Sequence, residues 1–165
     1  MSRIALFPGS FDPFTKGHED IVRRGLQLFD EVIIGIGRNA SKQRYFPLEQ
    51  MTTWIEQTFQ DAPQVRVVAY DDLTANMARK LGARFLLRGL RNTTDFEYEN
   101  GIAQVNRYVY EEVETVFLIT SPHLAPISSS IIRDLHRYGQ SVEAFLPYSI
   151  ETRDEKQETR IPPAT

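Results

Sequence analysis

The chain has no cysteine and only three histidines, His18, His123 and His136. Disulfides, thiolate metal sites and a cysteine nucleophile are therefore excluded, and the histidines are spaced unlike a zinc cluster. An excess of one charge is also missing. Lysine and arginine total 19 against 22 aspartates and glutamates, a net charge of −3 that argues against a general polyanion binder. Positive charge must be local if the ligand is anionic. No apolar run approaches the length of a bilayer span, and the chain enters an apolar strand pattern without a signal region or an arginine-rich transit segment. The expectation is a cytoplasmic protein that uses neither membrane nor nucleic acid as a partner. Repeats and low-complexity linkers are absent too, so 165 residues suit one compact domain.

What is present is alternation. Apolar runs at 3–7, 31–37, 65–70, 84–88 and 114–119 read as strands, with five helical patterns between and after them. This order predicts an α/β fold, a Rossmann-like open five-stranded parallel sheet with helices on both faces. A single domain is expected over 1–149, with a polar C-terminal tail over 150–165. The helical patterns carry apolar stripes: Leu48, Met51, Ile55 and Phe59 in the second, Leu73, Met77 and Leu81 in the third. The fourth, 94–110, aligns Tyr98, Ile102, Val105 and Val109, and the last aligns Ile131, Ile132 and Leu135 below a serine cap. All four stripes are expected in the core.

In an open parallel sheet, ligands bind beyond the carboxyl ends of the strands, where the strand order reverses. Each polar cluster here falls at such an end. The first strand runs through Phe7-Pro8-Gly9-Ser10-Phe11-Asp12-Pro13-Phe14-Thr15-Lys16-Gly17-His18. Gly9 and Gly17 allow close backbone approach, Ser10 and Thr15 add hydroxyls, and His18 sits in a helical first turn whose unpartnered N–H groups favour an anion. A solvent-exposed capping histidine is the alternative. Lys16 precedes the glycine, so this is not a Walker loop, and the dinucleotide spacing is missing.

The second strand leads to 39–44 with Lys42, which alone carries no signal, and the third to Asp71–Thr74. The fourth leads to Arg88-Gly89-Leu90-Arg91, where two guanidinium forks either hold phosphate in one cleft or pair with Asp95, Glu97 or Glu99. The fifth leads to 121–130, whose Ser128-Ser129-Ser130 either cap a helix or bind a second anion. Without a nucleophile elbow or a spaced carboxylate pair, covalent catalysis has little support. Phosphoryl or nucleotidyl transfer fits, because it proceeds through positioning and charge stabilisation alone.

Thr15-Lys16-Gly17-His18 resembles the T-x-G-H signature of the HxGH nucleotidyltransferases, and Ile127-Ser128-Ser129-Ser130 resembles their second signature. Pro8 to Pro13, Ser41-Lys42, Asp72-Leu73, Arg88 to Arg91, Asp95 to Glu99 and Phe145-Leu146-Pro147 extend the resemblance, across residues 3–148, to the bacterial phosphopantetheine adenylyltransferases. The resemblance implies transfer of AMP from ATP to 4'-phosphopantetheine, giving dephospho-coenzyme A and pyrophosphate by direct in-line attack. It implies catalytic roles for His18, Lys42 and Arg91. ATP would be bordered by Ser10, Phe11, His18, Gly89, Leu90, Arg91 and Glu99, and by Leu124, Ala125, Pro126, Ile127, Ser128, Ser129 and Ser130. The acceptor would meet Ser10, Lys42, Leu73, Thr74, Arg88 and Asn106. Magnesium arriving with ATP rather than on protein ligands, a homohexamer and feedback inhibition by coenzyme A are implied as well.

One feature departs from the family pattern. An aromatic residue commonly precedes the I-S-S-S segment and packs on adenine, whereas this chain has His123-Leu124-Ala125-Pro126. An aliphatic side chain gives up stacking, and altered ATP affinity or base discrimination is expected. Two other readings compete: the same superfamily with another acceptor, such as nicotinate mononucleotide or a phosphorylated sugar alcohol, and a non-catalytic nucleotide sensor. The joint presence of His18, Lys42, Arg88 and Arg91 favours catalysis over sensing, because binding alone needs no stabilisation at the α-phosphorus.

Overall fold

The structure, a computed structural model, describes residues 1–150. Of the expected tail only Ile150, which is buried, lies among them. Five parallel strands form one sheet: β1 (Ile4–Gly9), β2 (Glu31–Gly37), β3 (Val65–Tyr70), β4 (Phe85–Leu90) and β5 (Glu114–Ile119). Their spatial order is β3-β2-β1-β4-β5, so the direction of travel reverses between β1 and β4. The helices are α1 (Lys16–Gly25), α2 (Leu48–Thr58), α3 (Thr74–Lys80), α4 (Thr93–Val109) and α5 (Ser129–Arg137), with a 3₁₀ turn at Glu143–Phe145.

Strand alternation divides the core between the two faces of the sheet. Ala5 and Phe7 of β1 join Ile34, Ile36 and Leu87 under α1, α2 and α5, which contribute Val22, Met51, Ile55 and Ile132. Leu6 faces the other way and packs with Ile33, Leu86, Ala78 and Val113. Burial of such side chains is worth roughly 1.5–3 kcal/mol each, so both faces contribute to stability.

The sheet is open where the strand order reverses. β1 pairs with β2 along its whole length, Ile4↔Glu31 to Gly9↔Ile36, yet meets β4 only at Ala5↔Phe85 and Leu6↔Leu86. Pro8 has no N–H for a ladder, and beyond Leu6 the two strands diverge. β4 runs two residues beyond the predicted 84–88, so Gly89 and Leu90 lie within the strand, and Arg88 and Gly89 form one bank of the resulting crevice.

Three apolar stripes are placed differently from expectation. On α4 the only buried residues are Glu99 and Asn106, while Tyr98 is 70% exposed, Val105 62% and Tyr108 92%, with Ile102 partly open. Glu99 and Asn106 are two turns apart and so share the face turned to the sheet. The hydrophobic period of this helix is real, but it marks the outer face. Leu73 is also exposed, because it precedes α3 as its N-cap. Ile131 lies outward on α5 while Ile132 is buried. The stripe on α2 behaves as expected, with Met51, Ile55 and Phe59 buried.

Candidate active site

The loop after β1 is shaped by its own packing. Gly9 is required by close packing: a Cβ there would lie 2.8 Å from the Phe11 ring. Phe11 takes a left-handed backbone conformation, φ 44°, unusual for a bulky residue and of the kind that gathers at ligand sites. Its buried ring meets the His18 imidazole edge-on at 5.0 Å.

Thr15 then starts α1 with a reciprocal cap. The His18 N–H donates to Thr15 Oγ1 at 3.4 Å, and the Thr15 backbone N–H donates to His18 Nδ1 at 3.0 Å. His18 is thus a capping residue, as the alternative reading held, but not a solvent-exposed one. Accepting at Nδ1 leaves Nε2 as the protonated nitrogen of the neutral ring. Burial, and then the nearby guanidinium groups of Arg88 and Arg91, push the His18 pKa down to about 3. The imidazole stays neutral through the physiological range and can serve only as a hydrogen-bond donor there.

His18 lines a cleft of about 330 Å³ beyond the ends of β1, β4 and β5. The cleft brings together Ser10, Phe11, His18, Arg88, Gly89, Arg91 and Glu99 with Leu124, Ile127, Ser128, Ser129 and Ser130. Ser128 caps α5 through its side chain, accepting from the Ile131 N–H at 3.2 Å. The Ser129 hydroxyl donates to the Pro13 carbonyl at 2.7 Å, tying that helix to the first loop. Two guanidiniums, six hydroxyls (those of Thr15 and Thr120 included) and helix-start N–H groups make the wall rich in donors, a composition suited to a polyphosphate. Leu124, Ile127 and Gly89 supply an apolar border.

A second cleft of about 160 Å³ adjoins the first. Thr74 and Asn106 line it, with Tyr70, Leu86, Ile102 and Ala103. The Tyr70 and Thr74 hydroxyls lie 2.9 Å apart in hydrogen-bond contact. The two clefts share Pro8, Gly9, Arg88 and Glu99 as a common wall. Arg88 crosses the gap between β1 and β4, donating from Nη1 to the Pro8 carbonyl and from Nε to Glu99 Oε2 at 2.7 Å. Its Nη2 donates to Glu99 Oε1. Arg91 pairs with Asp95 at 3.0 Å. The ion-pairing alternative for both arginines is therefore realised, and both still line the first cleft.

Several expected residues stand apart from these walls. Leu90, Ala125 and Pro126 lie beside the first cleft without lining it, and Leu73 is outside the second. Lys42 is exposed on the loop after β2, its backbone N–H bonded to the Asn39 carbonyl at 3.0 Å. That loop nonetheless reaches the site through residues that sequence reasoning missed. Arg44 donates to the carbonyls of Ser10 and Phe11 at 2.5 and 2.8 Å, and Asp12 accepts the backbone N–H groups of Tyr45 and Phe46, each at 2.8 Å. Arg133 of α5 adds a bond to the Asp12 carbonyl at 2.7 Å. Asp12 and Arg44 are 32 positions apart, and the only sequence signal was a charged residue set among prolines and aromatics. On the opposite bank, Asp20 accepts from the Ser121 hydroxyl at 2.8 Å and from Arg24 at 3.1 Å, anchoring the segment that leads to Leu124.

Comparison with known proteins agrees with this geometry. The cytidylyltransferase-like family matches residues 6–135. The phosphopantetheine adenylyltransferase of Cytophaga hutchinsonii is 62% identical over 150 residues, covering 91% of this chain and all of that protein. The phosphopantetheine adenylyltransferase of Flavobacterium johnsoniae is 50% identical over 151 residues, covering 92% of this chain and 99% of that one. Among solved structures, a bifunctional NMN adenylyltransferase/ADP ribose pyrophosphatase from Francisella tularensis superposes with a TM-score of 0.68 at 19% identity. That match covers 89% of this chain and 45% of the bifunctional protein, so it speaks to fold alone. A donor-rich crevice at the switch point of a five-stranded parallel sheet, and near relatives matched along their whole length, together place the chain in the cytidylyltransferase-like family and, within it, among the phosphopantetheine adenylyltransferases, which are nucleotidyltransferases.

Proposed function

We propose that this protein transfers the adenylyl group of ATP to 4'-phosphopantetheine, forming dephospho-coenzyme A and releasing pyrophosphate, a step of coenzyme A biosynthesis. The observation that carries the reading is the shared wall: a donor-rich cleft and a narrower one meet at Arg88, so two substrates can approach one point from opposite sides. A phosphate oxygen of the acceptor attacks the α-phosphorus, the bond from that phosphorus to the bridging oxygen breaks, and pyrophosphate leaves with the electron pair. No protein nucleophile is needed.

His18 donates from Nε2 to the α-phosphate, where negative charge grows in the transition state. Arg88 holds the acceptor phosphate, and Ser10 and Lys42 orient it. Arg91, Ser129 and Ser130 take the departing β- and γ-phosphates. Leu124 and Ile127 border the adenine, and Thr74 and Asn106 line the pantetheine arm beside Leu73. Magnesium would enter as its ATP complex, since the carboxylates lining the first cleft, Asp95 and Glu99, are both held by arginines. Bound there, it would neutralise triphosphate charge.

The exposed apolar side chains of α4 support assembly through that helix into a homohexamer. No helix among the described residues is long and apolar enough to cross a membrane, in keeping with a cytoplasmic enzyme. Coenzyme A, which carries both halves of the product, is the expected feedback inhibitor. Pyrophosphate release from ATP tests the reading. Phosphopantetheine should support turnover while nicotinate mononucleotide and phosphorylated sugar alcohols should not, and equal turnover with those acceptors would reject it.

A further inference from the structure

We infer that Arg44 is a positioning residue for the nucleotide, acting through the backbone of the loop after β1, which it turns so that the Phe11 N–H faces a phosphate. The inference rests on the proposed adenylyl transfer in taking the first cleft as the ATP side. The family resemblance sets Ser10 and Phe11 beside ATP and gives Arg44 no part.

An arginine near a polyphosphate ordinarily holds it directly. Arg44 does not. It stands outside the lining of the first cleft with its side chain 19% exposed, and its guanidinium is engaged by carbonyls. Nε donates to Phe46 at 3.1 Å, Nη1 to Ser10 at 2.5 Å and Nη2 to Phe11 at 2.8 Å. Asp12 fixes the arrangement, accepting the Tyr45 and Phe46 N–H groups at 2.8 Å each and lying 3.9 Å from Nη2.

A trans peptide points its N–H opposite to its C=O. The Ser10 carbonyl and the Phe11 N–H belong to one such peptide. A carbonyl drawn toward Arg44 therefore sends the N–H the other way, to the side on which Ser10 and Phe11 line the cleft. That N–H has no acceptor among the described residues, and the left-handed φ of Phe11, 44°, is a conformation that surrounding contacts must hold. The carbonyls that follow are drawn off in the same manner. Asp12 accepts from Arg133 at 2.7 Å, Pro13 from the Ser129 hydroxyl at 2.7 Å and Phe14 from the Tyr148 hydroxyl at 2.6 Å. Every carbonyl from Ser10 to Phe14 thus has a side-chain donor that keeps it from facing an anion. Without the guanidinium, the Ser10–Phe11 peptide can rotate, and a donor to the triphosphate is replaced by a repulsive dipole.

The test is calorimetry on the full chain. Dissociation constants are measured for a non-reactive ATP analogue and for adenosine, which has the base and ribose but no phosphate, in the wild type, Arg44→Met and Arg44→Gln. A preserved far-UV spectrum, at a temperature well below each melt, identifies the variants that fold. Arg44→Met should weaken the ATP analogue on the order of tenfold and adenosine less than twofold, so the ratio of the two constants moves about tenfold. A strap that served stability alone would lower Tm and leave that ratio where it was. A ratio within twofold of the wild type, whether neither constant moves or both weaken together, would overturn the inference. Arg44→Gln, too short to reach both carbonyls, should shift the ratio in the same direction and decides the matter if Arg44→Met does not fold; an unchanged ratio there rejects the assignment. Failure of the ATP analogue to bind the wild type would overturn the proposed reaction and this inference with it, an outcome distinct from bound analogue with an unmoved ratio.

Discussion

A single imidazole illustrates how local structure sets chemistry here. The Thr15 N–H fixes the His18 tautomer, and burial with two guanidiniums keeps the ring uncharged down to about pH 3. His18→Ala should preserve the fold and much of the ATP binding but lose about 3 kcal/mol of transition-state stabilisation, a fall in kcat on the order of 100-fold. Near-native turnover would remove His18 from the mechanism. The same pKa has a consequence for stability. Above about pH 6.5 both folded and unfolded chains hold a neutral imidazole, whereas between about 6.5 and about 3 only the unfolded chain takes up the proton. Stability contributed by the neutral ring is therefore lost as pH falls through that window. Urea melts from pH 7 to 4 should show a steeper decline for the wild type than for His18→Gln. Gly9 gives a second residue-scale expectation: Gly9→Ala puts a methyl 2.8 Å from the Phe11 ring and should cost about 1–3 kcal/mol, read as a lower Tm.

Between residue and molecule, the elements explain what the sequence disclosed. All five strands were legible because buried parallel strands are continuous apolar runs, and the loops at their ends carried most of the site. Ser10, His18, Arg88, Arg91 and Ser128 to Ser130 are close enough to glycine, proline or helix starts for local rules to single them out. Arg44 and Asp12 were not, because their contacts join segments that are adjacent only after β2 pairs with β1. The reading of α4 failed for a different reason. Periodicity reports that one helical face is apolar but not what covers it, and Glu99 and Asn106 turn inward because cleft and sheet need polar groups there. Arg44→Met tests the cross-strap between the first two loops. It deletes charge-assisted bonds to two carbonyls of the first loop and should cost about 1.5–3 kcal/mol in urea denaturation, with faster proteolysis between 39 and 46.

At the scale of the whole molecule, the outward apolar residues of α4 are the surface on which the proposed assembly is tested. Tyr98, Val105 and Tyr108 stand in solvent on one helix, with Phe96 near its start. Sedimentation equilibrium should give the mass of an assembly of six chains, and Val105→Glu should reduce it while leaving the secondary structure of the subunit intact. An unchanged mass would direct the search for the contact elsewhere.

The thinness of the partition at Arg88 bears on inhibitor design. Since the same arginine lines either chamber, one compound carrying a nucleotide-like head and a pantetheine-like limb joined beside Arg88 would tether each half in its own compartment. The second half would then bind at millimolar effective concentration, and the linked molecule should outcompete an equimolar mixture of its fragments by roughly 100-fold or more.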